Sequence, residues 1–444
     1  MNIELSSDLR REVVALAAKC FNEENPKKEF VAGDSYIPVT IKSVCEQDLA
    51  YLIDASLDMW LTAGRYGREF EKEISSYFGK KLKGLLVNSG SSANLVATSA
   101  LGSPMLNGTS KEPMKPGDEV LTVAAGFPTT VNPIIQNNWK PVFVDVDLDT
   151  FNVTLDRLQE AKTAKTKAVI VAHTLGNPFR ADLISEWCKE NGMYLIEDSC
   201  DAFGAEIAGE KAGSFGDFAT TSFYPAHHIT MGEGGAVMAK SGPLRRAAES
   251  IRDWGRDCWC EPGVDNSCKK RFDWKLGELP EGYDHKYVYS QLGYNLKVTD
   301  MQAAVGISQL KKSGAFVAAR RKNYDYLYQG IKNSPILSDK VGVMEATENT
   351  NPSWFGFPIR LQEGINRMRV QSAMEESRIG TRLMFAGNLT KQPAYQGHDF
   401  RIHGEMKNTD AIMNQVFWMG VHPLLTPKMM DYMLETLERI LKEQ

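Results

Sequence analysis

Two adjacent histidines, His227 and His228, lie in the stretch 222–237, which reads SFYPAHHITMGEGGAV. The pattern predicts a strand end, a polar loop and a glycine-rich return into a second strand. Glycine lets the backbone approach a ligand closely, and a neutral imidazole can act on that ligand as a base. A hairpin with two hydrogen-bonded surface histidines explains the same residues equally well, so the rest of the chain must decide.

The stretch 88–94, NSGSSAN, follows a predicted strand and opens a predicted helix. Backbone amides at a helix N-terminus, together with the hydroxyls of Ser91 and Ser92, can hold a phosphate group. Serine is also a common N-cap residue, so this stretch on its own indicates a phosphate site only weakly.

Two acidic residues, Glu197 and Asp198, end another predicted buried strand. An ionised carboxylate in such a place needs a cationic or hydrogen-bonding partner. A protonated pyridine nitrogen is one such partner for Asp198. The alternative is that Asp198 caps a helix.

Seven cysteines occur in the chain, and Cys200, Cys258, Cys260 and Cys268 form the most suggestive set. Four thiolates can hold a 2Fe-2S cluster, although the spacing is not that of plant-type ferredoxins. Zinc-binding pairs usually have two to four intervening residues, whereas Cys258 and Cys260 have one. Spacing alone therefore does not distinguish an iron–sulfur cluster, a zinc site and cysteines that bind no metal. An odd number of cysteines in a long chain does not indicate a disulfide framework.

Short apolar runs alternate with helix-like segments over the first half of the chain. The predicted strands are 85–87, 120–123, 142–146, 168–171 and 194–196, and the predicted helices between them include 92–101, 155–162 and 183–191. This alternation indicates βαβ units and a mainly parallel sheet, which binds ligands at the carboxyl ends of its strands. The histidine loop, the serine stretch and Asp198 are all expected at that edge.

The remaining segments predict a second, smaller domain. Residues 253–290 are rich in Trp, Cys, Asp and Lys and show little periodicity, which is typical of a long functional loop. A helix over 301–310 leads into the carboxyl-terminal part. We therefore predict a large cofactor-binding domain over 1–306, which includes the irregular loop, and a smaller α+β domain over 307–444.

Composition excludes some classes of protein. The chain has 444 residues, 43% hydrophobic content and a net charge of −5, without a dense basic run. These values argue against nucleic-acid binding and membrane-surface binding. No apolar leader and no membrane-length apolar run is present, so we expect a cytoplasmic protein.

The motifs follow one another along the chain in the order serine stretch, Gly126-Phe127, Glu197-Asp198, histidine loop and 293–297 (GYNLK). A chain with this order of motifs resembles the vitamin B6-dependent sugar aminotransferases of nucleotide-sugar pathways. The resemblance implies an aspartate-aminotransferase-type α/β fold (PLP transferase type I) and a homodimer with the site between subunits. It also implies the roles of the cofactor-binding residues. The cofactor phosphate would be held by Ser91, Ser92, Ser222 and, from the neighbouring subunit, Asn295; Asp198 would pair with the pyridine nitrogen and Phe127 would stack on the ring.

One position departs from that family pattern. The aminotransferases have a lysine that anchors the cofactor covalently where this chain has His227. An imidazole cannot provide that anchor, so the departure implies pyridoxamine 5'-phosphate (PMP) bound without a covalent link. His227 would then serve as the general base. For His228 a supporting role or none is expected.

The histidine and the four cysteines together resemble the iron-sulfur 3-dehydrases of the 3,6-dideoxysugar branch. That resemblance implies a 2Fe-2S cluster on Cys200, Cys258, Cys260 and Cys268, and CDP-4-keto-6-deoxy-D-glucose as the substrate that loses its carbon-3 hydroxyl. It also implies a flavin and iron-sulfur NADH-dependent reductase as partner, and a product used in O-antigen lipopolysaccharide. Two alternatives are a cluster-free GDP-4-keto-6-deoxymannose 3-dehydratase and a non-catalytic nucleotide-sugar sensor with a zinc-stabilised loop.

Three polar residues of the carboxyl-terminal part are weaker candidates. Arg382, Asn388 and Arg401 could contact the nucleotide diphosphate, since arginine matches phosphate geometry.

Overall fold

A computed structural model describes residues 5–26, 28–79, 81–260 and 263–443. The first residues of the chain, on which the expectation about a leader partly depends, lie outside the described residues, as do positions 261–262 within the irregular loop.

Helices surround the sheets on both sides. They are α1 (Asp8–Glu24), α2 (Glu46–Leu57), α3 (Arg65–Phe78), α4 (Gly90–Ala100), α5 (Pro128–Gln136), α6 (Leu155–Ala161), α7 (Ala181–Glu190), α8 (Gly242–Arg252), α9 (Asp300–Leu310), α10 (Ser313–Asn333), α11 (Pro335–Lys340), α12 (Arg367–Glu376), α13 (Lys407–Gln415) and α14 (Pro427–Lys442). Among the described residues, no helix is both long enough and apolar enough to cross a membrane.

The strands are mostly short. They are β1 (Lys83–Val87), β2 (Glu119–Val123), β3 (Lys140–Val144), β4 (Thr166–Ala172), β5 (Tyr194–Asp198), β6 (Glu206–Ile207), β7 (Glu210–Lys211), β8 (Phe218–Ser222), β9 (Gly235–Ala239), β10 (Val341–Val343), β11 (Thr350–Asn351), β12 (Gly356–Leu361), β13 (Arg382–Leu383), β14 (Arg401–Ile402) and β15 (Val416–Gly420).

The central sheet has the strand order β1-β9-β8-β5-β4-β2-β3-β14 in the described part of the chain. The pairs from β8 through β14 are parallel, whereas β9 runs antiparallel to both of its neighbours. Successive residues of β2, Val120 and Leu121, pack into different hydrophobic clusters on the two faces. Burial of both faces explains why the strands read as continuous apolar runs. The prediction of a mainly parallel α/β sheet is confirmed, and β1–β5 are the five predicted strands.

A second sheet, of order β10-β12-β15-β13, is built from residues after the predicted boundary at 306. The short strand β14 returns from this part of the chain and pairs in parallel with β3. The division into 1–306 and 307–444 stays a prediction.

The buried face of α1 is not the face that its apolar residues predict. Its buried residues are Val14 and Ala18, and it packs on α2. Leu9, Val13, Leu16 and Cys20 recur at three- and four-residue steps, which predicts an amphipathic helix with these residues on its apolar face. In the structure Leu9 and Leu16 are instead 73% and 71% exposed. Small residues let α1 approach α2 closely, and the larger residues therefore face away from this chain.

Candidate active site

The carboxyl ends of the central strands meet at a cavity of about 1000 Å³. Asp198 ends β5, Ser222 ends β8, and the β1–α4 connection brings Gly90 and Ser91 to the same edge. Phe127, at the start of α5, also lines the cavity. Four predicted positions, Ser91, Phe127, Asp198 and Ser222, thus converge because parallel strands present their carboxyl ends at one edge of the sheet. The fifth, His227, enters from the loop between β8 and β9.

A phosphate cradle lies at the first turn of α4. Ser89 caps the helix by accepting a hydrogen bond from the Ser92 backbone N–H at 3.0 Å, and its own hydroxyl donates to the Ser92 hydroxyl at 3.0 Å. Ser91 is oriented by donating to the Thr129 hydroxyl at 3.0 Å. Gly90 and Ser91, in the first turn of α4, and Ser222 line the same cavity. A phosphate monoester fits this donor set.

Gly90 is required by the close approach of α4 to β8. A Cβ atom at this position would lie 2.4 Å from Ser222 Cβ. We therefore expect Gly90→Ala to push the helix start away from Ser222 and to weaken PMP binding by at least tenfold, as measured by equilibrium dialysis. Gly242 is the matched control, because it also opens a helix, α8, but a Cβ there meets nothing within 4 Å. Equal affinities of the two variants would contradict the cradle.

Asp198 is 4% exposed and is held by neighbouring side chains. Its Oδ2 accepts hydrogen bonds from the Asn94 amide at 2.8 Å and the Thr130 hydroxyl at 2.7 Å. Its Oδ1 accepts from the Cys200 backbone N–H at 3.1 Å. Asp198 ends a strand and caps no helix, and it faces the cavity. A buried carboxylate held in this way is suited to pair with a protonated ring nitrogen.

The other acid of the pair points to the opposite side of β5. Glu197 is fully buried and accepts from the backbone N–H groups of Gly213, Phe215 and Gly216 at 2.6 to 2.8 Å. His173 Nδ1 accepts from the Phe179 N–H, so the His173 Nε2–H donates to Glu197 at 3.1 Å. Glu197 therefore anchors a loop and not a ligand.

Phe127 stands at the mouth of the cavity, with 51% of its surface exposed. Its ring contacts Phe385 edge-on, with 6.1 Å between ring centroids. One face of the ring is thus available for a planar ligand, in the offset arrangement that aromatic pairs prefer.

His227 lies beside the cavity, where 15% of its side chain is exposed. Its ring stacks on Phe355 with centroids 5.1 Å apart, and its Nδ1 lies 3.5 Å from Asp201 Oδ1. Burial lowers the pKa of the imidazole to about 4; the charge of Asp198 opposes this shift and that of Arg320 adds to it. The imidazole is therefore neutral, and able to accept a proton, throughout the physiological range.

The low pKa of His227 predicts an unusual titration. In the cofactor-free protein the His227 imidazole signals should move only below pH 5, and not near the ordinary value of about 6.5. The folded state then binds fewer protons than the unfolded state between pH 6.5 and 4, so this group makes folding less favourable as the pH falls. NMR titration measures this pKa and the direction of its shift from the ordinary value. The His227 signals are assigned by their absence from the spectrum of His227→Asn. An inflection between pH 6 and 7 would contradict the burial argument.

His228 points away from the cavity and is 3% exposed. It does not line the cavity, and its Nε2–H donates to the Ser353 carbonyl at 2.8 Å. Burial and the nearby Arg320 hold its pKa well below the usual range. Its contacts are those of a structural residue.

Three of the four candidate cysteines lie together. The Sγ atoms of Cys258, Cys260 and Cys268 are all within 4.8 Å of one another. The Cys260 backbone N–H donates to Cys258 Sγ, and the Cys268 N–H donates to Cys260 Sγ, each at 3.4 Å. Backbone donors of this kind stabilise thiolates. Cys258 and Cys260 line a second cavity, of about 920 Å³.

Cys200 lies apart from that group, in the cavity of Asp198 and His227. Its sulfur lies 3.1 Å from the place that a Cβ on Gly90 would occupy. Burial, and then the charge of Asp198, raise the pKa of the Cys200 thiol well above its usual value. Within one chain the structure does not bring it to the other three cysteines.

The four remaining candidate residues differ in whether they reach the cavity. Asn295 is exposed outside the cavity, and a contact with the partner subunit's cofactor stays a prediction. Arg382 lines the cavity. Asn388 instead donates to Asp410 at 2.8 Å, and Arg401 pairs with Glu119 at 3.0 Å, so both have structural partners.

Four residues of the site were not predicted. Asn94 and Thr130 hold Asp198, whereas Asp201 and the fully buried Arg320 flank His227. Arg320 donates to the carbonyls of residues 354 and 355 at 3.2 Å and belongs to α10, far along the chain. Asn94 is the last residue of the serine stretch 88–94, which is a signal that could have been used; the others have no local signal.

Residues 43–438 match the sequence profile of the DegT/DnrJ/EryC1/StrS aminotransferase family. The chain belongs to this family. The predicted aspartate-aminotransferase-type fold is thereby confirmed, and membership in the DegT/DnrJ/EryC1/StrS family supports the predicted vitamin B6 cofactor, whose phosphate and ring nitrogen fit the cradle and Asp198.

Three relatives within this group are informative. The chain is 51% identical over 435 residues to lipopolysaccharide biosynthesis protein RfbH of Salmonella typhimurium, with 98% of each chain covered. It is 48% identical over 436 residues to dTDP-4-dehydro-2,6-dideoxy-D-glucose 3-dehydratase of Saccharopolyspora spinosa, covering 98% of this chain and 92% of the relative. The structure of E. coli GDP-4-keto-6-deoxy-D-mannose-3-dehydratase with bound hydrated PLP superimposes with a TM-score of 0.80 at 26% identity, covering 91% of this chain and 100% of that one.

Proposed function

We propose that the protein is a PMP-dependent 3-dehydratase of nucleotide-linked 4-keto-6-deoxy sugars. One observation carries the proposal: a cavity with partners for a B6 phosphate and ring nitrogen has an imidazole, and not a lysine, at position 227. A site without the amine anchor cannot run the usual transamination cycle, but it retains a base. The names of both dehydratase relatives, which act at carbon 3 of 4-keto sugars, support the same reaction.

PMP, when bound, supplies the amine that condenses with the sugar ketone and a ring that withdraws electrons. The protein does the rest. The α4 cradle and Ser222 would hold the phosphate, and Asp198 would pair with the protonated ring nitrogen. His227 would act as the base that accepts the proton released next to the amine. Asp201 occupies the Nδ1 side of the imidazole, which leaves Nε2 for this transfer. The carbon-3 hydroxyl would then leave as water, with the proton that His227 has accepted.

For the substrate we propose CDP-4-keto-6-deoxy-D-glucose, which would make the protein a CDP-6-deoxy-L-threo-D-glycero-4-hexulose-3-dehydrase of lipopolysaccharide O-antigen synthesis. The support is the resemblance of the histidine and cysteine pattern, together with the name of the Salmonella relative. Arg382, at the cavity wall, is available for the diphosphate.

We also propose that the cysteine group carries a 2Fe-2S cluster that accepts electrons from a flavin and iron-sulfur NADH-dependent reductase. The support is the close approach of three thiols in the 253–290 loop. Cationic side chains adjoin this group: Arg246 lies 5.0 Å from the Trp259 ring and Lys270 lies 5.0 Å from the Trp274 ring. An acidic face of the reductase would complement this surface.

The test of the reaction uses anaerobically purified protein loaded with PMP and offered the CDP-, GDP- and dTDP-linked 4-keto-6-deoxy sugars. We expect loss of the carbon-3 hydroxyl, with kcat/KM at least tenfold higher for the CDP sugar. A preference for the GDP sugar without any iron would favour the cluster-free dehydratase. Binding of the sugars without loss of hydroxyl would favour a sensor.

The test of the relay uses Cys258→Ala. The variant should lose reductive turnover with NADH and reductase, yet retain some carbon–oxygen cleavage. Full reductive turnover by this variant would refute the relay.

A further inference from the structure

Asn94 is a buried polar residue of α4 that lines the active-site cavity. It is 3% exposed and lies about one helical turn after Gly90, where the phosphate cradle begins. Its amide donates to Asp198 Oδ2 at 2.8 Å. One helix therefore carries both the start of the phosphate cradle and a contact to the carboxylate that suits a ring nitrogen.

The orientation of the Asn94 amide is set from its other end. The hydroxyl of Thr220, a completely buried residue of β8, donates to Asn94 Oδ1 at 2.5 Å. Turning the amide over would place its oxygen against the carboxylate of Asp198, where two acceptors would face each other without a proton between them. Thr220 and Asp198 therefore select the same orientation of the amide, with Nδ2 towards Asp198.

Strand pairing fixes the distance between the two ends of this chain of hydrogen bonds. Thr220 is the pairing partner of Asp198 in the parallel pair of β8 and β5. Residues paired across neighbouring strands have side chains on the same face of the sheet, and α4 packs on β8 at this face. The amide of Asn94, which is both a donor and an acceptor, can thus bridge a hydroxyl and a carboxylate that are held at a fixed spacing.

The donors around Asp198 indicate which of its oxygens receives the ring nitrogen. Oδ2 accepts from the Asn94 amide and from the Thr130 hydroxyl at 2.7 Å, and a carboxylate oxygen has about two acceptor positions. Oδ1 accepts from the Cys200 backbone N–H at 3.1 Å. We therefore expect the ring N–H at Oδ1, because Oδ2 is already occupied.

We propose that Asn94, oriented by Thr220, is a positioning residue that turns Asp198 Oδ1 towards the ring nitrogen of the cofactor. Both residues act through Asp198. The inference rests on the proposed function for the identity of the cofactor, and it adds a role for α4. This helix sets both contacts of the cofactor, the phosphate through its first turn and the ring nitrogen through Asn94.

The experiment compares PMP binding by full-length Thr220→Val and Thr220→Ser. Valine has the shape of threonine but lacks the hydroxyl, so Thr220→Val should weaken PMP binding by about tenfold in equilibrium dialysis. At saturating PMP it should also reduce the induced circular dichroism of the cofactor absorption band, which reports how firmly the ring is oriented. Thr220→Ser keeps the hydroxyl and should retain wild-type affinity and dichroism, although loss of a buried methyl group should make it less stable.

Thr221→Val is the matched control. Thr221 is the next residue of β8, is completely buried, and its hydroxyl has no hydrogen-bond partner within the described part of the chain. This variant should have wild-type affinity and dichroism. Wild-type binding by Thr220→Val would overturn the proposal. Equal losses in Thr220→Ser and Thr220→Val would do the same, since packing and not the hydroxyl would then be responsible.

Asn94→Leu tests the second link of the chain of hydrogen bonds. Leucine is similar in size to asparagine but cannot donate to Asp198, so the loss of PMP affinity should be at least as large as in Thr220→Val. If wild type binds no PMP, both the proposed function and this inference are wrong. If wild type binds PMP and the Asn94 and Thr220 variants bind it equally well, only the inference is wrong.

Discussion

His227→Asn should bind PMP with wild-type affinity and lose dehydration activity by about 10² to 10⁴-fold. The asparagine side chain keeps a polar group in place of the imidazole but cannot accept and return a proton. Affinity should not change, because the phosphate cradle and Asp198 lie on other elements. The measurement is single-turnover conversion of the nucleotide sugar by PMP-loaded protein, with equilibrium dialysis for PMP.

His228→Asn is the matched control, because the two histidines are adjacent and only His227 lines the cavity. This substitution removes the hydrogen bond to the Ser353 carbonyl and should lower thermal stability. The dehydration rate of the folded variant should fall by less than tenfold. Wild-type turnover by His227→Asn would show that another group is the base. Equal losses of dehydration rate in both variants would show that a change in the loop, and not removal of the His227 imidazole, causes the loss.

Asp198→Asn should weaken PMP binding by about 10 to 100-fold and should slow dehydration by a further 10² to 10³-fold. A hydrogen bond to a charged group contributes roughly 1.5 to 3 kcal/mol, which accounts for the affinity. The loss of rate follows because a neutral amide does not stabilise the protonated ring nitrogen as charge moves into the ring. Equilibrium dialysis and single-turnover rates measure the two effects separately.

Asp145→Asn is the control for burial of a carboxylate. Asp145 is 6% exposed, like Asp198, and accepts from the Thr409 hydroxyl at 2.7 Å, but it does not line the PMP cavity. Its substitution should cost stability and leave PMP affinity unchanged. If Asp198→Asn behaves like Asp145→Asn, Asp198 has only a structural role.

Much of the site could be predicted because its residues follow local rules. A buried strand that ends in polar residues marks the carboxyl edge of a parallel sheet, and this placed Asp198 and Ser222 correctly. The serine stretch at the start of α4 is a local signal of the same kind. By contrast, the apolar stripe of α1 misled the prediction of its buried face, because helix packing selected the small residues Val14 and Ala18.

The cysteines show the limit of spacing as a guide. Cys258, Cys260 and Cys268 are near in sequence and are near in space. Cys200 precedes them by a long segment, and its place is set by β5 and the cavity that follows it.

The sequence by itself determined the fold class, the cavity edge and the replacement of a lysine by His227, because periodicity and residue identity are local properties. Only the tertiary structure decided which charges surround that imidazole, that His228 is turned away, and that Cys200 lies in the cavity of Asp198, apart from the group of Cys258, Cys260 and Cys268. These outcomes depend on contacts between residues far apart in the chain, such as Arg320 with the His227 loop. No local pattern records such contacts, since they arise from packing of the whole core.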